Sequence, residues 1–312
     1  MRQAGGRAEW RPACRSGSRQ VAQIRVRAFV PPFQRSRSGF PQKNTMAIED
    51  DVLAMISTML ARPGVPVPER LADVHRLLAK LRSEVLGATL SQGGRVHRGP
   101  FEGMEFPAGW TDGTYLPKLL GIYERELQPV VSGFSAGGYR TVINAGCAEG
   151  YYAVGLARRL PGAAIHAFDI DPRARERCAD LAGRNGVEDR VRVGAVVDPA
   201  SLEGHPGPVL LVCDIEGAEG DLLDPAKAPA LRSMDVLVEV HDVFVEGTGR
   251  MLETRFAGTH RIRRILSGQC DQPELPELAG RDQLDQLLAR WEGRIEGTYW
   301  LWMESGPRDG TT

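Results

Sequence analysis

A run of small residues, Asn144-Ala145-Gly146-Cys147-Ala148-Glu149-Gly150, stands where an apolar strand gives way to a helix. Small residues at that junction let a ligand come against the backbone, and the free N–H groups of the helix start point at whatever lies above the strand end. A second apolar run ends in Phe168-Asp169-Ile170-Asp171. Asp169 follows the loop by about twenty residues, the offset at which a carboxylate on the neighbouring strand accepts hydrogen bonds from ribose hydroxyls. Asp171, with Pro172 behind it, reads instead as a helix N-cap. Two later runs also end in groups that do chemistry, Cys213-Asp214-Ile215-Glu216-Gly217-Ala218-Glu219 and Val240-His241-Asp242. Carboxylates or an imidazole at strand ends can take a proton from a nearby hydroxyl, so the candidate bases are Asp214 and His241, with Glu216 third.

Each of these has a plainer reading. Asp214 can hold an amino group or cap the next helix, Glu216 can hold the turn at Gly217, and Glu219 suits the first turn of a helix. His241-Asp242 can satisfy loop backbone groups. An acidic trio can also suggest a metal, since hard cations take carboxylate oxygens. Acids at a helix start have the milder explanation, and no metal is expected. Cys147 is expected to lend backbone to the loop, and Cys213 to fill core space.

The elements that must carry these groups alternate. Apolar runs suited to buried strands lie at 140–144, 163–170, 190–197, 208–215 and 235–242, with helices at 151–160 and 172–184. Alternation of strand and helix implies a doubly wound α/β domain with a mostly parallel sheet. A helix at 248–257, a strand at 261–266, a helix at 281–291 and a strand at 298–304 bring the sheet to seven strands. Upstream, apolar spacing predicts helices at 47–60, at 69–86 (with Leu71, Val74, Leu77, Leu78, Leu81 and Val85 on one stripe) and at 115–131, and a short hairpin at 95–106. The expected organisation is a basic leader at 1–45, a helical cap at 46–135 and the main domain at 136–306.

The 312 residues carry a formal net charge of -1, which gives no global attraction to nucleic acid or an anionic membrane. The first 43 residues differ, with ten Arg and Lys against the single acid Glu9. A transit-like peptide, a phosphate-binding basic arm and an unstructured leader upstream of a start at Met46 all fit; the absence of periodic apolar residues favours the last. Five scattered cysteines form no C-x-x-C pair, which points away from disulfides and structural zinc and towards a cytoplasmic setting. No run of ~18 apolar residues offers a membrane span. Nothing in the sequence sets an oligomeric state.

The loop lacks the G-x-G-x-x-G dinucleotide fingerprint, since Tyr151 stands at the third glycine, and no G-K-[ST] makes it a P-loop. Its Gly146-x-Ala148-x-Gly150 spacing instead resembles motif I of the class I S-adenosylmethionine-dependent methyltransferases. Residues 208–220 (PVLLVCDIEGAEG) and 235–242 (DVLVEVHD) are similar to later strands of the FkbM-like methyltransferase family, with its D-x-E-G-x-E signature, and 119–127 (LLGIYEREL) is similar to a helix preceding that domain. The resemblance spans roughly 115–265. It implies S-adenosylmethionine as cofactor, held by Asn144, Gly146, Cys147, Ala148, Glu149, Gly150, Asp169, Ile170, Val197 and Asp214. Two positions depart from the pattern: Asn144 stands where an acid is usual, and Ala148 where glycine is frequent.

The implied reaction is O-methylation of a hydroxyl on a sugar or natural-product-like small molecule, and the neutral body counts against a nucleic acid partner. Methylation of RNA or protein, and a non-catalytic nucleoside-binding module, are the alternatives. Acceptor recognition is expected from the cap and the insertion at 267–297, with Trp110, Tyr123, Glu124, Tyr151 and Tyr152 as lid candidates.

Overall fold

The computed structural model describes residues 45–91, 93–108, 114–268, 273–294 and 297–306. The expected leader therefore lies outside the described residues but for Thr45, as do Trp110, Cys14 and Cys270. The chain divides into two units, Met1–Leu53 and Ala54–Thr312. The sheet and the site belong to the second. No described helix is long and apolar enough to cross a membrane.

Helices α1 (Thr45–Leu60), α2 (Val67–Leu90), α3 (Tyr115–Leu120) and α4 (Gln128–Gly133) precede the sheet. Strands β1 (Thr141–Ala145), β2 (Ala164–Phe168), β3 (Val191–Gly194), β4 (Val209–Cys213) and β5 (Asp235–Val240) interleave with α5 (Tyr151–Arg159), α6 (Pro172–Arg184) and the single-turn α7 (Glu219–Leu222). Then come α8 (Thr248–Phe256), β6 (His260–Leu266), α9 (Gln283–Leu288) and β7 (Tyr299–Ser305). The strands form one sheet in the order β3-β2-β1-β4-β5-β7-β6. The first five run parallel and β7 runs antiparallel to both its neighbours. This is the doubly wound, mostly parallel seven-stranded sheet that the sequence led us to expect.

The strands are apolar because helices cover both faces. Along β1 and β4 the side chains alternate, with Val142, Leu210 and Val212 in one core cluster and Ile143, Val209, Leu211 and Cys213 in the other. Strand order reverses between β1 and β4, and in open α/β sheets the crevice beyond such a reversal holds the ligand. The glycine loop and the segment beginning at Asp214 both leave the sheet at that point.

The cap departs from its sequence reading in two places. The helix expected over 115–131 is broken, because Gly121 (φ 68°) and Glu124 (φ 45°) adopt left-handed backbone. A Cβ on Gly121 would stand 1.9 Å from the Arg98 carbonyl oxygen, so only glycine lets the two segments meet. The short hairpin expected at 95–106 is present: Arg95 bridges Glu105 antiparallel, flanked by backbone hydrogen bonds from Val96 N–H to the Met104 carbonyl and from Phe106 N–H to the Gly94 carbonyl. On α2 the expected stripe holds only in part: Val74 is buried, but Leu71, Leu78 and Val85 are 44%, 44% and 58% exposed, and Leu86 and Leu90, outside the stripe, are buried. Gly87 is the cause, since the Tyr115 ring fills the space where its Cβ would be. Leu86 and Leu90 join Leu116, Leu120, Leu275 and Leu278 in a third cluster, and Arg82 adds a two-pronged ion pair to the buried Asp285 of α9. Through these contacts α2 and α3 pack against the late insertion.

Candidate functional site

The glycine loop is shaped by close approach. Gly146 (φ 78°) lies so near β4 that a Cβ there would stand 1.6 Å from the Asp214 carbonyl oxygen, and Gly150 (φ 98°) packs 2.9 Å, by the same measure, from Cys178 Sγ. The Gly146 and Cys147 N–H groups both donate to the Phe168 carbonyl, tying the loop to the end of β2. Asp169 therefore lies against the loop, as expected. One of its oxygens accepts the Ala148 N–H at 2.9 Å and the other the Asp171 N–H at 2.8 Å. Each oxygen keeps a second lone pair. Asp171 caps α6 by accepting the Arg173 N–H.

Beside this carboxylate, Ile170 is 83% and Val196 66% exposed, so two apolar side chains face solvent at the ends of neighbouring strands. Val197, the residue expected there, packs instead against the core beneath the sheet. Asn144 is buried in β1; its amide donates to the Val212 carbonyl, and its Oδ1 has no hydrogen-bond partner. Glu149 offers the site no free side chain, being buried in an ion pair with Lys118, whose ammonium sits 4.7 Å above the Tyr123 ring.

Around the ends of β4 and β5 the acids converge on one imidazole. Buried His241 makes an Nδ1 hydrogen bond of 2.8 Å to Glu219 Oε1, an oxygen that also accepts the Gly217 N–H. Its Nε2 faces Glu216 Oε2 at 3.5 Å, Glu239 Oε2 at 3.6 Å and Asp214 Oδ1 at 3.8 Å. The Phe244 ring stacks on it at 5.6 Å. Asp214 Oδ1 is buried with no hydrogen-bond partner. The expected trio of Asp214, Glu216 and His241 thus meets, each with a donor atom within 4.8 Å of the others'.

Several plainer readings are revised by this geometry. Asp214 caps no helix, since the N-cap of α7 is Ala218. Glu216 lies outside that helix with φ 53°, so of Asp214, Glu216 and Glu219 only Glu219 is a helix-start acid. Asp242, not His241, serves the loop, accepting the Gly249 N–H and the Tyr299 hydroxyl.

Burial raises the Asp214 carboxyl to about 6 against the pull of His241, with Glu216 and Glu219 adding to the rise. Burial, then Asp214 and Glu124, push Glu239 up to about 10. At His241 burial disfavours the charged form, but the Glu219 hydrogen bond and the charges of Asp214 and Glu216 outweigh it and raise the imidazole.

Four participants were not read from the sequence as part of the site: Glu239, Lys118, Arg294 and, beyond its place as a lid candidate, Glu124. Arg294 lies 3.0 Å from Glu126, 2.6 Å from Glu292 and 3.4 Å from Glu239, and so links the His241 cluster to the late insertion. It also lines a cleft of about 290 Å3 with Ile122, Arg125, Glu126, Arg290 and Trp291. Of the lid candidates, Tyr151 is core, while Tyr123 and Tyr152 pack against that core and Tyr152 donates to the buried Glu124. They form a wall rather than a lid. Glu239 carries a legible signal, an acid two residues before His241 within a strand of apolar neighbours; Lys118 and Arg294 carry none.

The sequence matches no protein-family profile and no curated protein. Among solved structures, the chain is similar to a putative rRNA-methylase from Clostridium thermocellum, with 15% identity over 58% of this chain and 95% of that one and a TM-score of 0.41. It is similar to the O-methyltransferase TomG from Streptomyces achromogenes, with 15% identity over 70% and 89% and a TM-score of 0.40. An O-methyltransferase from Bacillus cereus shows 16% identity over 69% and 92%, with a TM-score of 0.35. These are likenesses of fold and of nothing narrower.

Proposed function

We propose that this chain is an S-adenosylmethionine-dependent methyltransferase that methylates a hydroxyl of a small, sugar-like or natural-product-like molecule in the cytoplasm. One observation supports the reading: the glycine loop, with Asp169 held against it, packs on Asp214 where β1 and β4 part, which puts the loop beside the acids around His241.

The residues present fit the cofactor. Gly146 keeps the backbone approachable, Asp169 retains lone pairs for ribose hydroxyls, and the unpartnered Oδ1 of Asn144 suits an ammonium. Ile170 and Val196 offer apolar cover to a purine ring. When bound, S-adenosylmethionine supplies a methyl carbon made electrophilic by its sulfonium. The chain's task is to align the acceptor oxygen with that carbon and to take the hydroxyl proton. Asp214, His241 and Glu216 stand as the proton acceptors, with Glu219 fixing the imidazole's orientation. The cleft beside Arg294 combines an indole face with acids and arginines, a lining suited to a polyhydroxylated ring.

Incubation with methyl-labelled S-adenosylmethionine and a pool of hydroxylated small molecules tests the reading. Label should pass to a small acceptor, and Asp214→Asn and His241→Ala should slow transfer while leaving cofactor binding mostly intact. Cofactor binding without transfer to any acceptor would leave a nucleoside-binding module. Label on RNA or protein alone would replace the acceptor class.

A further inference from the structure

We propose that Asp214, Glu216 and His241 form a binding site for a divalent metal cation of the first transition row, such as Mn2+. This departs from the expectation of a metal-free site, and geometry is the reason. Nε2 of His241 lies 3.5 to 3.8 Å from oxygens of Glu216, Glu239 and Asp214. Those separations are too long for good hydrogen bonds. They suit ligands that share an ion: at metal–ligand distances of about 2.0–2.2 Å, neighbouring donors stand roughly 3.0–3.5 Å apart and opposite ones about 4.2 Å.

Two further observations point to a ligand. His241 is only 3% exposed, yet its inward nitrogen makes no hydrogen bond, while its other nitrogen is fixed by the fully buried Glu219. A carboxylate behind the far nitrogen is the arrangement that orients a metal-bound histidine and makes it a better donor. Asp214 Oδ1, facing the same space, is buried with no hydrogen-bond partner. Charge agrees: the carboxylates of Asp214, Glu216 and Glu219 surround one imidazole, while the fourth acid, Glu239, is the one of the four that Arg294 pairs with.

One imidazole with carboxylates suits Mn2+, Fe2+ or Zn2+ better than the all-oxygen preference of Ca2+. Glu216, with 68% of its side chain exposed, leaves an entry path and open coordination positions. An ion held here would occupy the Nε2 lone pair of His241, so the imidazole could not serve as ligand and base together, whereas Asp214 and Glu216 would each keep a second carboxylate oxygen to accept a proton. When bound, the ion would supply Lewis acidity to a coordinated hydroxyl.

The test is binding of Mn2+ alone to the EDTA-stripped full chain at neutral pH, read by the paramagnetic resonance of the free ion. Wild type should show one saturable site and a raised thermal midpoint with Mn2+. Glu216→Gln, at an exposed position that threatens no fold, and His241→Ala should each bind at least about tenfold more weakly, and Glu219→Gln about 10–100-fold more weakly. Glu246→Gln, exposed and outside the cluster, should bind as wild type does. No saturable binding by wild type up to about 1 mM Mn2+, weaker than ordinary protein sites, would overturn the proposal. Equal binding by wild type and Glu216→Gln would do the same. Neither methyl donor nor acceptor is present, so the result stands apart from the methyltransferase reading.

Discussion

Replacing Glu124 by glutamine should stabilise the protein, and only at the alkaline end of its range. The side chain is buried, accepts the Tyr152 hydroxyl and lies 3.8 Å from Arg294. Burial nevertheless dominates, and with Arg294 and Tyr152 pulling the other way its carboxyl rises from 4.5 to about 7. A raised carboxyl works against the fold, because the unfolded chain releases its proton first and gains stability from doing so. The penalty is absent below about 4.5, grows as pH climbs and is complete above about 7. At about 1.36 kcal/mol per unit, a difference of 2.5 units corresponds to about 3 kcal/mol. Glutamine matches the shape and φ tolerance of glutamate and stays neutral throughout. Urea unfolding at about pH 5 and about pH 8 should show the variant's advantage over wild type growing by about 2–3 kcal/mol between the two. An advantage, or a deficit, equal at both pH values would refute the reasoning, because it would mean that Glu124 titrates alike in both states.

Three further outcomes can be checked. Gly146→Ala should lower stability by more than about 2 kcal/mol in urea titrations, since its methyl would overlap the Asp214 carbonyl on a left-handed backbone; a wild-type midpoint would show the loop to be looser than described. Ile170→Ser, at an 83% exposed position, should leave the thermal midpoint unchanged while weakening S-adenosylhomocysteine binding several-fold in calorimetry; unchanged affinity would remove Ile170 from the site. Lys118→Met should cost about 3–5 kcal/mol by stranding the buried Glu149 carboxylate, and adding Glu149→Gln should recover much of that loss; additive losses in this double-mutant cycle would mean the pair is not coupled.

The sheet was legible because its signal is local. The central parallel strands are buried on both faces and read as short apolar runs, and the signals of α6 (Asp171 before it, Pro172 at its first position, Asn185 after it) mark its ends in three residues. The placement of Asp169 against the glycine loop was legible for the same reason: it follows from position at a strand end and from spacing to the next. The cap was read less well because distant chain decides it. Gly121 breaks a helix only because Arg98 passes beside it, and Gly87 turns α2 only because Tyr115 packs there. In the site, Asp214, Glu216 and His241 were found from strand ends, but the ring of charge around them was not. Arg294 reaches Glu124, Glu126 and Glu239 from as much as 170 residues away along the chain, and no spacing rule connects such positions.

Titration of S-adenosylhomocysteine into wild type and Asp169→Ala by calorimetry bears on the whole reading most directly. One molecule should bind per chain, and the variant should lose about 1–3 kcal/mol of binding free energy through its missing hydrogen bonds to the ribose. No binding to wild type, or equal affinity in the two proteins, would contradict the assignment of the β1–β4 crevice to an adenosyl ligand.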